Sequence, residues 1–247
     1  MATFVLVHGG SHGGWCYKIL AGMLRDAGHE VYCPTLTGSG ERRHLVGPDV
    51  NLNTHIEDIS NLLFHEDLHD VYLAGHSYGG MVITGVADRM LERIGHLVFL
   101  DASHPQNGEA LTDVAPGMMD MAFSHMKVID GLELIELPEE IAKPAYGFTD
   151  PKLWEWASPR LSPQMWRCFT TKLDLKREDE VRKLPRTSIN CTPTLAVRPP
   201  ELLHRTLEAD YVFEIDTGHA LMLSEPRAVA DMLLEVVNKE EAKTRAR

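Results

Sequence analysis

Gly75-His76-Ser77-Tyr78-Gly79 follows the apolar run Val71–Ala74 and precedes the helix-like stretch Gly80–Arg93, so a serine stands where a strand turns sharply into a helix. Small residues two before and two after a serine matter only where the turn is that tight. The elbow lifts the Ser77 hydroxyl out at the carboxyl edge of a parallel sheet, which makes Ser77 the candidate nucleophile. The N–H of Tyr78 stands free at the helix N-terminus, where it can bind an oxyanion.

Working outward, strand-like runs alternate with helix-like ones. Phe4–Val7, Glu30–Cys33, Val71–Ala74, Leu97–Leu100, Thr187–Cys191 and Tyr211–Ile215 read as strands; Trp15–Ala27, Leu52–Phe64, Gly80–Arg93, Pro200–Glu208 and Pro226–Lys239 carry apolar residues at helical spacing. Asn53 or Thr54 is placed to cap the second helix. This alternation predicts an α/β fold, a doubly wound and mostly parallel sheet covered on both faces. From Ser103 to Pro185 the alternation breaks and Pro, Met and Trp accumulate, among them Met118, Met119, Met121, Phe123, Met126, Trp154, Trp156, Trp166 and Phe169. We read residues 103–185 as a helical cap inserted after the sixth sheet strand, with residues 1–102 and 186–247 forming the core domain. Most of these large side chains are expected to pack the cap onto the sheet and a few to line a pocket. The charged tail Lys239–Arg247 is expected to fray.

Composition narrows the function. The 247 residues hold 36 acidic and 24 basic side chains, a net charge of −12, which argues against a phosphate-binding surface and against nucleic acid as partner. The four cysteines, Cys16, Cys33, Cys168 and Cys191, are scattered without a C-x-x-C pair, as suits a reducing cytoplasm. A strand opens at Phe4 with no basic leader, and no apolar run approaches the roughly 18 residues a membrane span needs, so neither export nor a membrane is expected. No residue pattern fixes the oligomeric state, and a homodimer is compatible with the chain.

A serine hydroxyl needs a base within hydrogen-bond reach. Of thirteen histidines, His219 stands at the carboxyl end of the last strand, reached through Asp216-Thr217-Gly218. It is the candidate general base. His8-Gly9-Gly10 follows the first strand, where glycine lets backbone approach a substrate; Gly10 is the candidate second oxyanion donor, and His8 is expected to brace the loop. The acid partner stays open. The loop after the penultimate strand reads Cys191-Thr192-Pro193-Thr194 without a carboxylate, and Glu201 is the first acid beyond it. Asp101 ends the earlier strand Leu97–Leu100 and leads, because adjacent strand ends lie only about 5 Å apart. Asp216 stands too near His219 in sequence to fold back on it. His65-Glu66-Asp67-Leu68-His69 spells the zinc motif H-E-x-x-H, but Val71 already starts a strand, so His69 falls in a loop and no metal site is expected. His76 is read as packing beneath the elbow.

With these residues placed, the chain resembles the α/β-hydrolase superfamily, and within it the plant methylesterase and hydroxynitrile lyase family with its bacterial esterase relatives. Phe4–Gly10 with His12–Cys16, Thr35–Arg42, Gly75–Gly80 and Asp216–His219 carry the resemblance. It implies an α/β-hydrolase fold, Ser77 as nucleophile, His219 as base, Gly10 and Tyr78 N–H groups as oxyanion hole, and no cofactor. Plant members carry an aspartate after the penultimate strand where this chain has Thr192-Pro193-Thr194. The bacterial relatives resemble this chain in Leu100-Asp101-Ala102. Hydroxynitrile lyases of the family place a threonine after the first-strand histidine and a lysine after the catalytic one, where Gly9 and Ala220 stand here. The resemblance therefore implies a serine carboxylesterase acting on a small apolar or aromatic ester. Two other readings are a cofactor-free lyase or oxygenase using His219 as base, and a ligand-binding receptor on a hydrolase scaffold.

Overall fold

The computed structural model describes residues 1–245. β1 (Thr3–Val7) leads through a 3-10 turn into α1 (Lys18–Asp26) and β2 (Glu30–Tyr32); α2 (Leu52–His65) returns to β3 (Val71–His76), and α3 (Gly79–Arg89) to β4 (Ile94–Leu100). The chain then leaves the sheet for α4 (Leu111–Val114), α5 (Pro116–Phe123), β5 (Met126–Ile129), β6 (Leu132–Ile135), α6 (Glu139–Ala145), α7 (Pro151–Ala157), β7 (Gln164–Met165), α8 (Arg167–Thr170) and α9 (Glu178–Val181). It re-enters as β8 (Arg186–Cys191), α10 (Thr192–Val197), α11 (Pro200–Leu207), β9 (Tyr211–Ile215), α12 (Leu221–Ser224) and α13 (Pro226–Arg245).

The main sheet runs β2-β1-β3-β4-β8-β9 with every pairing parallel. A parallel sheet must be covered on both faces, and alternate residues of each strand serve the two layers. Val5, Val7, Leu73 and Phe99 pack against α2 and α3, while Phe4, Leu6, Ala74, Val98 and Leu100 pack against α1 and α13. Because β1 lies between β2 and β3, the strand order reverses there, and ligands of such sheets bind beyond the carboxyl ends at that reversal. The register pairs Val7 with Gly75, bringing the loop after β1 level with the serine elbow.

Four expectations need correction. The insertion follows β4, the fourth strand of the main sheet in chain order rather than the sixth, and it is not wholly helical: β5, β6 and β7 form an antiparallel sheet of their own. Asp130 and Gly131, both at positive φ, make the tight turn that joins β5 to β6. Asn51 caps α2, not Asn53 or Thr54. Its side chain accepts from the Asn53 N–H at 2.8 Å, and its own N–H donates to the Thr54 hydroxyl at 3.2 Å. The tail does not fray at Lys239, for α13 continues to Arg245 with Lys239–Glu235, Lys243–Glu240 and Arg245–Glu241 pairs along it. The last two residues of the tail lie outside the described ones. No described helix is long and apolar enough to cross a membrane.

Candidate active site

Ser77 sits at φ 53°, in the left-handed region that non-glycine residues avoid, and the elbow around it is built of close approaches. A Cβ on Gly75 would lie 2.5 Å from the Gly79 carbonyl oxygen, and one on Gly79 would lie 2.7 Å from that of Val7, so the turn closes only with glycine at both places. The Ser77 carbonyl accepts from the Gly80 and Ser103 N–H groups at 3.0 and 3.1 Å. Those bonds hold the strained residue in place. Tyr78 is buried; its hydroxyl donates to His55 Nδ1 at 2.9 Å, and His55 Nε2 in turn donates to the Thr37 carbonyl at 2.9 Å.

The loop after β1 is aimed by its histidines. His8 Nδ1 donates to the Gly9 carbonyl at 2.8 Å while its Nε2 accepts from the Leu36 N–H at 3.0 Å. Burial pushes His8 down to about 3 and His12 down to about 4, so both stay neutral at physiological pH. Across a trans peptide the Gly9 carbonyl and the Gly10 N–H point opposite ways. Holding the carbonyl back therefore fixes the direction of the N–H of Gly10, a residue that lines the cavity, and His12 Nδ1 donates to the next carbonyl, that of Gly10, at 2.8 Å. Among the described residues neither the Gly10 nor the Tyr78 N–H donates to a protein acceptor.

His219 Nδ1 donates to Asp101 Oδ2 at 2.5 Å, and its Nε2 is buried without a hydrogen-bond partner among the described residues. Its backbone is pinned on both sides: His76 Nε2 donates to the His219 carbonyl at 2.8 Å, and the Ala220 N–H donates to the Tyr146 carbonyl at 2.9 Å. His76 thus does more than pack beneath the turn. Burial, with His219 and His12 close by, holds it well below the usual histidine range, and as a neutral ring it can only position its neighbour.

Asp101 sits at φ 45°, a second left-handed residue at a strand end, and is fully buried. Burial alone would raise its carboxyl; the bond from His219, its charge, the Thr194 hydroxyl and the nearby Arg198 together outweigh that and hold it below the ordinary range. Thr194 donates at 2.8 Å, the Cys191 N–H at 3.2 Å, and an Arg198 nitrogen stands 4.0 Å away. A carboxylate with that many donors stays charged when buried. Sequence reading missed Thr194 and Arg198 because nothing local marks them. α10 and the residue that follows it bring them from about ninety residues away, in the very loop that lacks an acid.

Gly10, Ser77, Tyr78, Asp101 and His219 all line one cavity of about 400 Å³. Its remaining wall is mostly apolar, with Met118, Met119 and Met121 from α5, and Phe169 from α8. Phe169 packs edge-on against Tyr78 at 5.4 Å, and its ring would stand 3.0 Å from a Cβ on Gly10. Trp154 instead packs within the cap, donating to Glu139 at 2.8 Å. Glu201 is exposed on α11 and does not join the cluster. Asp216 turns away, accepting from the Thr192 hydroxyl at 3.0 Å. α2 ends at His65, and His69 lies in the loop beyond, paired with Asp67 at 3.2 Å beside Arg93.

Residues 4–232 match the family model described as the alpha/beta hydrolase family. A carbendazim hydrolyzing esterase from a Nocardioides species is 57% identical over 116 residues, 47% of this chain and 48% of that one, so the match spans about half of each. Methylesterase 7 of Arabidopsis thaliana is 29% identical over 96% of both chains. Among solved structures, an extracellular alpha/beta-hydrolase from a Paenibacillus species, described as sharing structural and functional homology with tobacco salicylic acid binding protein 2, superposes with a TM-score of 0.81 at 24% identity, covering 95% of this chain and 98% of that one.

Proposed function

The chain belongs to the alpha/beta hydrolase family, and from that membership we propose that it is a serine carboxylesterase, hydrolysing a small apolar or aromatic ester through an acyl-Ser77 intermediate. Ser77 Oγ attacks the ester carbonyl while His219 Nε2 takes its proton; the carbonyl oxygen, now an anion, receives the Gly10 and Tyr78 N–H groups. The C–O bond breaks as His219 returns the proton to the leaving alkoxide. Water, deprotonated by the same nitrogen, then releases the acid and restores the serine. Asp101 holds the ring in the tautomer that presents a bare Nε2 and stabilises the imidazolium formed in each half.

One observation carries this reading: a histidine whose Nδ1 is committed to a buried carboxylate and whose Nε2 has no hydrogen-bond partner among the described residues, on the cavity that Gly10, Ser77 and Tyr78 line. Triad hydrogen bonds in empty enzymes are often long and tighten only with substrate. The methionine- and phenylalanine-lined wall supports an apolar or aromatic ester as substrate, since such side chains adapt to a ring but offer nothing to an anion. Carbendazim, on which the Nocardioides relative acts, belongs in the substrate panel. Free cysteines at 16, 33, 168 and 191 support a cytoplasmic setting.

Incubation with an activated aryl ester followed by intact-protein mass measurement tests the proposal. A transient acyl adduct, mapped to Ser77 and missing in Ser77→Ala, is expected. Turnover with no adduct under any quench would point to a reaction that uses His219 as a base without acylating the serine.

A further inference from the structure

Beside the methionine-lined cavity lies a second, of about 210 Å³, and Ser11, Leu137 and Tyr146 line both. That volume is far more than the about 10–15 Å³ that admits one water. The partition is built deliberately into the loop after β1. Ser11 is held at φ 64°, its carbonyl accepting from the Ser162 N–H at 2.9 Å and its N–H donating to Gln164 at 3.2 Å, so cap residues fix the oxyanion loop from the chamber side.

Which half of a substrate would enter follows from where the partition stands. Tyr146 bonds through its carbonyl to Ala220, the residue after His219, and its ring meets His12 edge-on at 4.9 Å. The second chamber therefore adjoins the histidine side of the site. In ester cleavage the leaving oxygen must take its proton from His219, so the alcohol half points to the histidine side. The chambers also differ in chemistry. The second carries Glu139, one of whose oxygens is taken by Trp154, and the Ser158 hydroxyl, which has no hydrogen-bond partner among the described residues.

Resting on the serine-esterase reading above, we propose that this second chamber is an alcohol-side subsite, which takes the leaving group of esters whose alcohol is ring-sized and bears a hydroxyl or amine donor, with Tyr146 as the specificity-determining residue at the partition. The apolar cavity then holds the acyl half alone.

Three esters of one acid test this: methyl benzoate, benzyl benzoate and 4-(hydroxymethyl)benzyl benzoate. For the unaltered protein, kcat/KM is expected to rise along that series, by about tenfold or more overall. Ala142→Phe and Ser158→Phe, which fill the chamber without touching the catalytic residues, should each lower kcat/KM for the two benzyl esters by at least about tenfold, the scale of a steric mismatch in a pocket, and leave methyl benzoate within about twofold. Ser158→Ala, which is small enough to fold whatever the others do, should cost the hydroxymethyl ester about two- to tenfold, the scale of one lost hydrogen bond, and spare the benzyl ester. A series with no preference for the larger alcohols, or filling variants that cut all three esters equally, would overturn the subsite. The acyl adduct on Ser77 is read separately on the unaltered protein, so loss of the adduct would overturn the esterase reading itself, whereas a normal adduct with a flat series overturns only the chamber.

Discussion

Ser77 and Asp101 end neighbouring strands, β3 and β4, in the same strained left-handed conformation, φ 53° and 45°, yet the balance of local and distant support differs between them. The serine is held mainly by its own neighbours in sequence: Gly75 and Gly79 let the turn close, and the Gly80 N–H caps its carbonyl, joined from the next strand end by the Ser103 N–H. The aspartate is held by groups far along the chain, Cys191, Thr194 and His219, with Arg198 beside them. A strained residue kept by local chemistry writes its signature into a short motif. One kept by tertiary contacts leaves none.

The largest effect that could break the comparison is on the serine side. Ser77→Ala is expected to lower kcat on an aryl ester by roughly 10⁴-fold or more, and adding His219→Ala should cost little further, because the two residues act as a unit. Losses that multiplied would mean they act independently.

Acid unfolding should come next. His8, His12 and His76 are buried with their ring pKa values pushed down, to about 3, to about 4 and well below the usual range. A depressed histidine binds its proton in the unfolded chain first, so stability should be full above about pH 6.5 and fall as pH drops toward 4 and 3. Asp101, depressed as well, adds a loss at still lower pH, below the ordinary carboxylate range. Urea unfolding measured from pH 7 to 4 should show this fall, and His8→Gln should flatten its slope by about 1.4 kcal/mol per pH unit, one proton's worth. An unchanged slope would mean that His8 is not buried as a neutral ring.

Smaller effects sharpen the aspartate side. Thr194→Val removes one donor from a buried carboxylate and should lower kcat about two- to tenfold at constant KM, the scale of one lost hydrogen bond. A raised KM at unchanged kcat would place Thr194 in substrate binding instead. Away from the site, Asn51→Ala should cost only about 1 kcal/mol by chemical denaturation, as an N-cap does, with activity intact.

The same contrast explains what the amino-acid sequence disclosed. Strands rich in Val, Leu and Phe with helices between them announce a parallel sheet, because burial on both faces leaves no other composition open to them; the six strands expected are the six of the main sheet. Phe4–Gly10 and Gly75–Gly79 are legible for the reason given above. The cap was less so. Its Met and Trp residues report only bulk, and the hairpin that joins Met126–Ile129 to Leu132–Ile135 is signalled by nothing more than the dipeptide Asp130-Gly131. Tyr146, which bonds to the His219 loop, and Phe169, which stands over Gly10, are ordinary aromatic residues in sequence. Only the folding of the cap onto the core gives them a part.

Asp101 carries the comparison, and one pair of substitutions decides its role. With thermal melts confirming a folded protein, Asp101→Asn is expected to lower kcat by roughly 10⁴-fold with KM nearly unchanged, while Glu201→Gln stays within about threefold of the parent, far below the usual effect of removing a triad acid. If Asp101→Asn were near-silent and Glu201→Gln destroyed activity, the carboxylate that serves His219 would lie on α11, and the buried pair at 2.5 Å would be structural.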